Sequence, residues 1–198
     1  MLQSISVGID ASGTSAEALA WADHLATETG ATLRTIQAWE KPQQHALGPL
    51  IPSVLSKESL EDECRETLSR VVAQSNIVGD PERVMRHGRS GQVLVDESET
   101  DDLLVLGRAG WGCRTLARMV LGSTTRQVIN NANVAVAVVP RKYQWVHSPK
   151  VFVGIDGSYS SCEALRWAVR NLPASAEIHA VWALTYRNGR RTHQLRVE

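Results

Sequence analysis

Short apolar runs alternate with segments of helical periodicity along the first 140 residues of the chain. Most of the apolar runs are too short for helices and are rich in Val, Ile and Leu, which is typical of buried strands. The predicted strands are residues 4–9, Thr32–Trp39, residues 83–86, Leu103–Gly107 and the run from Val134 to Val139.

Between these strands, apolar residues recur at helical spacing. Ala18, Ala22 and Leu25 share one helical face, and Thr14 with Glu17 has the spacing of a capping box at a helix start. Further helices are predicted near residues 60–72, near residues 91–97 and after Gly122. Residues 40–56 hold three prolines and no clear period, so we expect a long loop there.

Strands that alternate with helices favour a parallel sheet with helices on both faces. We therefore predict a doubly wound α/β fold with a five-stranded, mainly parallel sheet. Ligands of such sheets bind beyond the carboxyl ends of the strands. Asp10, Ala38 and Gly107 stand at three of these ends, so the sequence predicts that they meet at one site.

A glycine-rich loop and a helix start follow the fourth strand. Gly107 and Gly110 lie at its exit, and Gly122 precedes three hydroxyl residues. Glycines allow close approach of backbone N–H groups to an anion. A helix start adds unpaired N–H groups and the positive end of the helix dipole. The sequence therefore predicts a phosphate-binding loop, with turn geometry alone as the alternative.

We interpret residues 141–149 as a linker. After this linker, the sequence pattern of the first part of the chain recurs. Val7-Gly8-Ile9-Asp10 recurs as Val153-Gly154-Ile155-Asp156, and a helix and a strand follow again. No second glycine loop accompanies this partial β-α-β repeat, and the arginines after Tyr186 favour a solvated tail. We therefore expect a domain at residues 1–140 and a truncated second copy at residues 150–198.

The charge balance and the cysteine usage exclude several classes of function. Twenty-one basic residues balance twenty-one acidic ones, so we expect no nucleic-acid partner and no membrane partner. The first residues lack a basic, apolar leader, which favours the cytoplasm. Three cysteines and six histidines are scattered without ligand spacing, so we predict neither a disulfide nor a side-chain metal site.

The order of these motifs over a whole domain resembles the universal stress proteins. The resemblance rests on Val-Gly-Ile-Asp-x-Ser, on Glu-Ala-Leu-x-Trp-Ala, on the strand ending at Ala38-Trp39, and on Leu-Gly-x-x-Gly with a later Gly-Ser. It implies an adenine-nucleotide alpha-hydrolase-like fold. It also implies an ATP-binding regulatory protein of the stress response, with Mg²⁺ as an accompanying ion.

The resemblance assigns a role to each candidate residue. Asp10 would lie near the ribose or near a phosphate-bound divalent ion, or would simply cap its turn. Ala38 would meet the adenine through its backbone, with a small core residue as the alternative. Gly107 and Gly110 would pass close under the ribose and phosphates, and Leu106 is assigned to the site beside them. The groups that would hold the phosphates belong to Gly122, Ser123, Thr124 and Thr125.

One departure from the family motif keeps a second hypothesis open. Eleven residues separate Gly110 from Gly122, whereas the ATP-binding members have nine. The alternative is a module of the same family that binds no nucleotide and acts as a dimerising scaffold. A related enzyme that cleaves ATP to pyrophosphate is a third option, but residues 10–14 only faintly resemble its loop.

No residue stands out as a positioned base or nucleophile, so we assign no catalytic residue and expect at most slow, incidental ATP hydrolysis.

The resemblance also implies a homodimer that pairs through the strand from Val134 to Val139. The acidic cluster at residues 96–102 is expected to be a solvated helix end.

Overall fold

The computed structural model describes residues 2–40, 57–108, 122–186 and 189–196, with side chains as far as Trp182. The chain divides into two compact units, residues 2–143 and residues 144–198, and each is described by itself. The expected loop at residues 40–56 lies outside the described residues except for Glu40. Among the described residues, no helix has both the length and the apolar character needed to cross a bilayer.

The first unit is built on a five-stranded sheet in which every strand is parallel to its neighbours, as the fold prediction requires. The order across the sheet is β3-β2-β1-β4-β5. The strands are β1 (Ser4–Gly8), β2 (Thr32–Trp39), β3 (Glu82–His87), β4 (Leu103–Gly107) and β5 (Ala135–Val139).

Four described helices cover the two faces of this sheet. α1 packs with α2 over one face, and α3 packs with α4 over the other. The helices are α1 (Gly13–Thr29), α2 (Lys57–Gln74), α3 (Ser90–Glu97) and α4 (Ser123–Asn131). Their positions agree with the helical periodicity of the sequence, so the predicted doubly wound α/β fold is confirmed.

β4 is an interior strand, between β1 and β5, and its position explains why its sequence is apolar without alternation. Residues 103–106 are all buried, because successive side chains point to opposite faces and both faces carry helices. Leu104 and Leu106 join Ile36 in the cluster beneath α3 and α4. On the opposite face, the buried alanines and leucines of α1 pack against the sheet.

The predicted capping box of α1 is wrong. The helix begins at Gly13 with Ser12 as its N-cap, so Glu17 lies too far into the helix to reach the cap. Glu17 instead accepts a hydrogen bond from the backbone N–H of Lys142, at 3.2 Å. Ser160 and Glu163 have the same spacing in the second unit and form no capping box either, because α5 (Tyr159–Asn171) has Ser158 as its N-cap.

The acidic cluster near the end of α3 is only in part the solvated helix end that we expected, because Asp96, Glu99 and Asp102 are exposed whereas Asp101 is buried. The Asp101 carboxylate is nearly buried and accepts from Arg34 Nε at 3.1 Å. Glu97 pairs with Arg86 at 2.7 Å. The Asp102 carboxylate accepts from the backbone N–H groups of residues 3 and 4, which fixes the start of β1. Asp101 and Asp102 therefore hold the starts of β2 and β1, and Glu97 joins the end of α3 to the end of β3.

The second unit repeats the first strand, helix and strand of the first unit. β6 (Lys150–Ile155) pairs in parallel with β7 (Glu177–Tyr186), and α5 connects them. A further strand, β8 (Gly189–Arg196), pairs antiparallel with β7. We expected an unpaired, solvated tail after Tyr186, and this prediction is wrong for the backbone, which forms a strand. Residues 189–196 lack the apolar alternation that is typical of a strand, so β8 is recognised only by its backbone pairing with β7.

Replacing Gly107 by Ala should destabilise the first unit. A Cβ at this position would lie 2.7 Å from the Thr14 carbonyl oxygen, and a backbone atom cannot move aside cheaply. We expect a loss of about 1–3 kcal/mol in the free energy of unfolding, measured by urea denaturation. Gly13→Ala is the matched control, because nothing lies within 4 Å of its added Cβ. Equal stability of the two variants would contradict the close approach of α1 to β4.

Candidate functional site

The carboxyl ends of β1 and β4 meet at the point where the winding of the sheet reverses. β1 lies between β2 and β4, and it leads into α1 on one face. β4 is followed, on the opposite face, by α4. Neighbouring strands whose connections leave in opposite directions open a crevice at the sheet edge, which is where doubly wound sheets bind ligands.

Asp10 stands at this crevice, directly after β1, and is exposed. Its Oδ1 accepts hydrogen bonds from the Ser12 N–H at 2.9 Å, from the Ser12 hydroxyl, and from the Ser15 hydroxyl at 2.6 Å. The Ser15 hydroxyl also accepts from the Asp10 N–H at 3.0 Å. Asp10 therefore holds its turn with one oxygen, and its other oxygen makes no hydrogen bond to a described residue.

Gly107 lies at the end of β4, against the first turn of α1. An added Cβ would lie within 3 Å of both the carbonyl oxygen and the hydroxyl of Thr14. The glycine is therefore needed for the packing of α1 on the sheet, whatever the site binds. This reason could not be read from the sequence, because it depends on which residue of α1 comes closest to β4.

The start of α4 leaves its backbone N–H groups without a side-chain cap. Gly122 is the N-cap and its carbonyl accepts from the Arg126 N–H at 2.9 Å, and among the described residues no side chain caps this end of the helix. Ser123 therefore does not cap the helix. Among the described residues, only the Thr125 hydroxyl lies within 4 Å of the place where a Gly122 side chain would start.

Ala38 and Leu106 lie next to the crevice, but their side chains belong to the hydrophobic core. Both pack in the cluster beneath α3 and α4, with Leu106 buried and Ala38 partly exposed. Leu106 can reach the crevice only through its backbone, since its side chain is enclosed. Ala38 is next to the last residue of β2, and its backbone lies at the strand end. Gly110 lies outside the described residues.

The arrangement brings together one carboxylate, a close-packed strand end and an open helix start. The topology places Asp10, Gly107 and the Gly122–Ser123 start of α4 around the same reversal point. An open helix start attracts anions through its N–H groups and its dipole. Ser12 and Ser15 were not predicted as residues of this site. Their positions two and five residues after an aspartate at a strand end are the signal that the sequence contains.

The donor set is poor for a metal held by protein alone. Within the described ranges, no group of three or more His, Cys, Asp or Glu side chains is placed to hold a metal ion. Asp10 offers a single free carboxylate oxygen. This set suits a hard divalent cation that takes most of its ligands from water and phosphate.

Comparison with known proteins fits this geometry. The family model described as the universal stress protein family matches residues 1–140. The chain belongs to this family. The match covers the whole of the five-stranded sheet and the crevice at its reversal point.

A curated universal stress protein from Mycolicibacterium smegmatis is 31% identical over 169 residues, covering 79% of this chain and 55% of that protein. The chain therefore spans about half the length of the curated relative that it matches. Two solved structures of the family share the fold with lower identity. A universal stress protein from Archaeoglobus fulgidus DSM 4304 has a TM-score of 0.67 at 17% identity, covering 90% of this chain and 65% of that one. UspA from Lactobacillus plantarum has a TM-score of 0.53 at 22% identity, covering 70% and 97%.

The turn that holds Asp10 recurs in the second unit. Asp156 follows β6, and its Oδ1 accepts from the Ser158 N–H at 2.9 Å. Ser161 donates its own N–H to the Ser158 hydroxyl at 3.2 Å, so the start of α5 is capped by a side chain. Hydrogen bonds from Ser158 and Ser161 lower the pKa of Asp156 from 3.8 to about 2. The second unit therefore repeats the turn around the carboxylate, but the N-terminus of its helix is capped by a side chain.

The carboxyl group of Asp156 should titrate near pH 2 in the folded protein, because hydrogen bonds to the charged form favour ionisation. A folded-state pKa below the unfolded value stabilises the fold above that unfolded value. This contribution is lost as the pH falls towards 2. The measurement is a carboxyl-carbon NMR titration. Ser158→Ala should move the midpoint upward, and an unchanged midpoint would contradict the assigned cause.

Proposed function

We propose that this protein binds an adenine nucleotide, with ATP as the favoured ligand, in the crevice beyond β1 and β4. We also propose that it acts as a regulatory protein of the stress response. The observation that carries the proposal is the open start of α4. There, within the part of the chain that the structure describes, Gly122 leaves room for a ligand and no side chain caps the helix. Phosphate groups are the natural ligands of such a helix start, because both the free N–H groups and the dipole favour negative charge.

The other end of the nucleotide would lie towards β2. The free oxygen of Asp10 is suited to accept from ribose hydroxyls or to share a phosphate-bound Mg²⁺. The Ala38 backbone would meet the adenine at the end of the neighbouring strand. A nucleotide in this pose crosses the strand ends from α4 to β2 and uses groups from three separate parts of the sequence.

The proposal describes a binding protein and not an enzyme. The crevice residues named above supply an anion site and one carboxylate, and none of them forms a base–nucleophile pair. Any ATP hydrolysis would then be slow and incidental. A cytoplasmic location is part of the same proposal, which rests on the sequence. The family fold and the Gly122 geometry give no reason to expect a nucleic-acid partner.

Gly122→Val should weaken ATP binding without unfolding the protein. The backbone angles of Gly122, φ −58° and ψ 158°, are open to any residue. A valine side chain would occupy the space beside the free N–H groups and hold the phosphates away. We expect at least about a tenfold increase in Kd, measured by calorimetry, with a stability loss of about 1 kcal/mol or less.

Gly154→Val is the control for this variant. It adds the same side chain in the second unit, where nothing lies within 4 Å, and should leave ATP binding unchanged. The proposal is wrong if the natural protein binds no adenylate at millimolar ATP. It is also wrong if the Gly122 variant binds as tightly as the natural protein.

We also propose that the protein is a homodimer joined through β5. This strand is at the edge of the five-stranded sheet, and four of its five residues are only partly buried in the single chain. An apolar edge strand with one free side is a ready template for pairing with another chain. The non-nucleotide scaffold hypothesis shares this interface, so dimerisation by itself does not separate the two functions.

Light scattering at micromolar concentration should give twice the chain mass of 21.7 kDa. Val138→Lys should shift the protein to the monomer, because a charge on an edge strand opposes pairing. Val78→Lys is the control, since Val78 is 97% exposed and lies outside the sheet. A monomer at this concentration would contradict the proposed interface.

A further inference from the structure

Gln37 carries a polar atom that has no hydrogen-bond partner among the described residues of the first unit. The residue is 7% exposed, and its Oε1 is buried with no hydrogen-bond donor. Buried polar groups are nearly always hydrogen-bonded, so each exception calls for a physical reason. The terminal amide torsion of glutamine is broad, so the amide plane can turn without movement of the strand.

Gln37 lies at the carboxyl end of β2, beside the turn that holds Asp10. Gly8 is registered with Ile36, and the Ile9 N–H donates to the Ile36 carbonyl at 2.9 Å. Ile9 is thus the neighbour of Gln37, and Asp10 comes one residue later. Because Ile36 and Ala38 point into the cluster beneath α3 and α4, Gln37 points to the opposite face of the sheet.

An aromatic pair stands on the same face, two residues further along β2. Trp39 is half-buried, and its ring centroid lies 4.6 Å from that of His87 at an interplanar angle of 63°. The Gly88 N–H donates to the Trp39 carbonyl at 2.9 Å, which fixes the two strand ends together. A ring held in this way offers a flat surface on which a nucleobase can stack.

We infer that Gln37 is the residue that recognises the base of the bound nucleotide, with Trp39 as the stacking surface beside it. This inference rests on the proposed function and adds to it the group that selects the base. An amide presents one acceptor and one donor side by side. Adenine presents the matching pair at its edge, an exocyclic amine that donates and a ring nitrogen that accepts. The amine would supply the donor that Gln37 Oε1 lacks.

The test compares two ligands on two proteins. ATP carries the 6-amino group, and purine riboside triphosphate lacks it but keeps the same sugar and phosphates. The natural protein should bind ATP about tenfold more tightly than the analogue, because loss of the amine leaves Gln37 Oε1 unpaired again. Gln37→Met removes the amide while keeping the side-chain length. It should bind the two ligands with equal Kd, measured by calorimetry.

Ser6→Ala is the matched control. Ser6 is fully buried on the neighbouring strand and its hydroxyl is also unpartnered, but it points to the α3 and α4 face. This variant should keep the tenfold preference for ATP. Circular dichroism and urea unfolding establish that each variant is folded. If Gln37→Met is unfolded, Gln37→Leu replaces it and should also lose the preference, because its side chain offers no oxygen to accept from the 6-amino group.

The outcomes separate this inference from the proposed function. Binding of neither ligand by the natural protein would overturn both. Equal binding of ATP and the analogue by the natural protein would overturn the role of Gln37 and leave the phosphate site intact. A tenfold preference that persists in the folded Gln37 variant would assign the recognition to another group, and would also overturn the inference.

Discussion

The contact between Gly107 and the first turn of α1 determines how the first unit is built around its crevice. A side chain at residue 107 would collide with the backbone of Thr14, so only glycine allows α1 to lie across the end of β4. This close approach joins the strand that carries Asp10 to the strand that leads towards α4. The two groups that border the crevice are therefore fixed relative to each other by backbone packing. Side-chain hydrogen bonds then refine the turn at Asp10.

Patterns that depend on the backbone period could be predicted from the sequence. The apolar run at residues 103–106 indicated a strand buried on both sides, and all four residues are buried. The strand from Thr32 to Trp39 has the predicted bounds. The position of Asp10 at the carboxyl edge followed from its place after an apolar run. These features follow from periodicity and from the geometry of parallel sheets, which a single sequence contains.

Features that depend on particular contacts across the fold could not be predicted. The capping box at Thr14 and Glu17 matched a local pattern, but the helix began earlier because Ser12 joins the Asp10 turn. The acidic cluster looked solvated because the sequence gives no sign that Arg34 faces Asp101 across the sheet edge. The unpaired oxygen of Gln37 is also invisible in sequence, since it depends on what surrounds one side chain in three dimensions.

The two aspartate turns differ in what their serines do. In the first unit the Ser12 hydroxyl donates to Asp10 and leaves α1 without a side-chain cap, whereas in the second unit the Ser158 hydroxyl accepts from the helix that it precedes. An internal duplication has thus preserved the same residues, but the Ser158 hydroxyl caps its helix in addition to its hydrogen bond with Asp156. Sequence similarity between two halves of a chain is therefore a poor guide to whether both halves attract the same kind of charge.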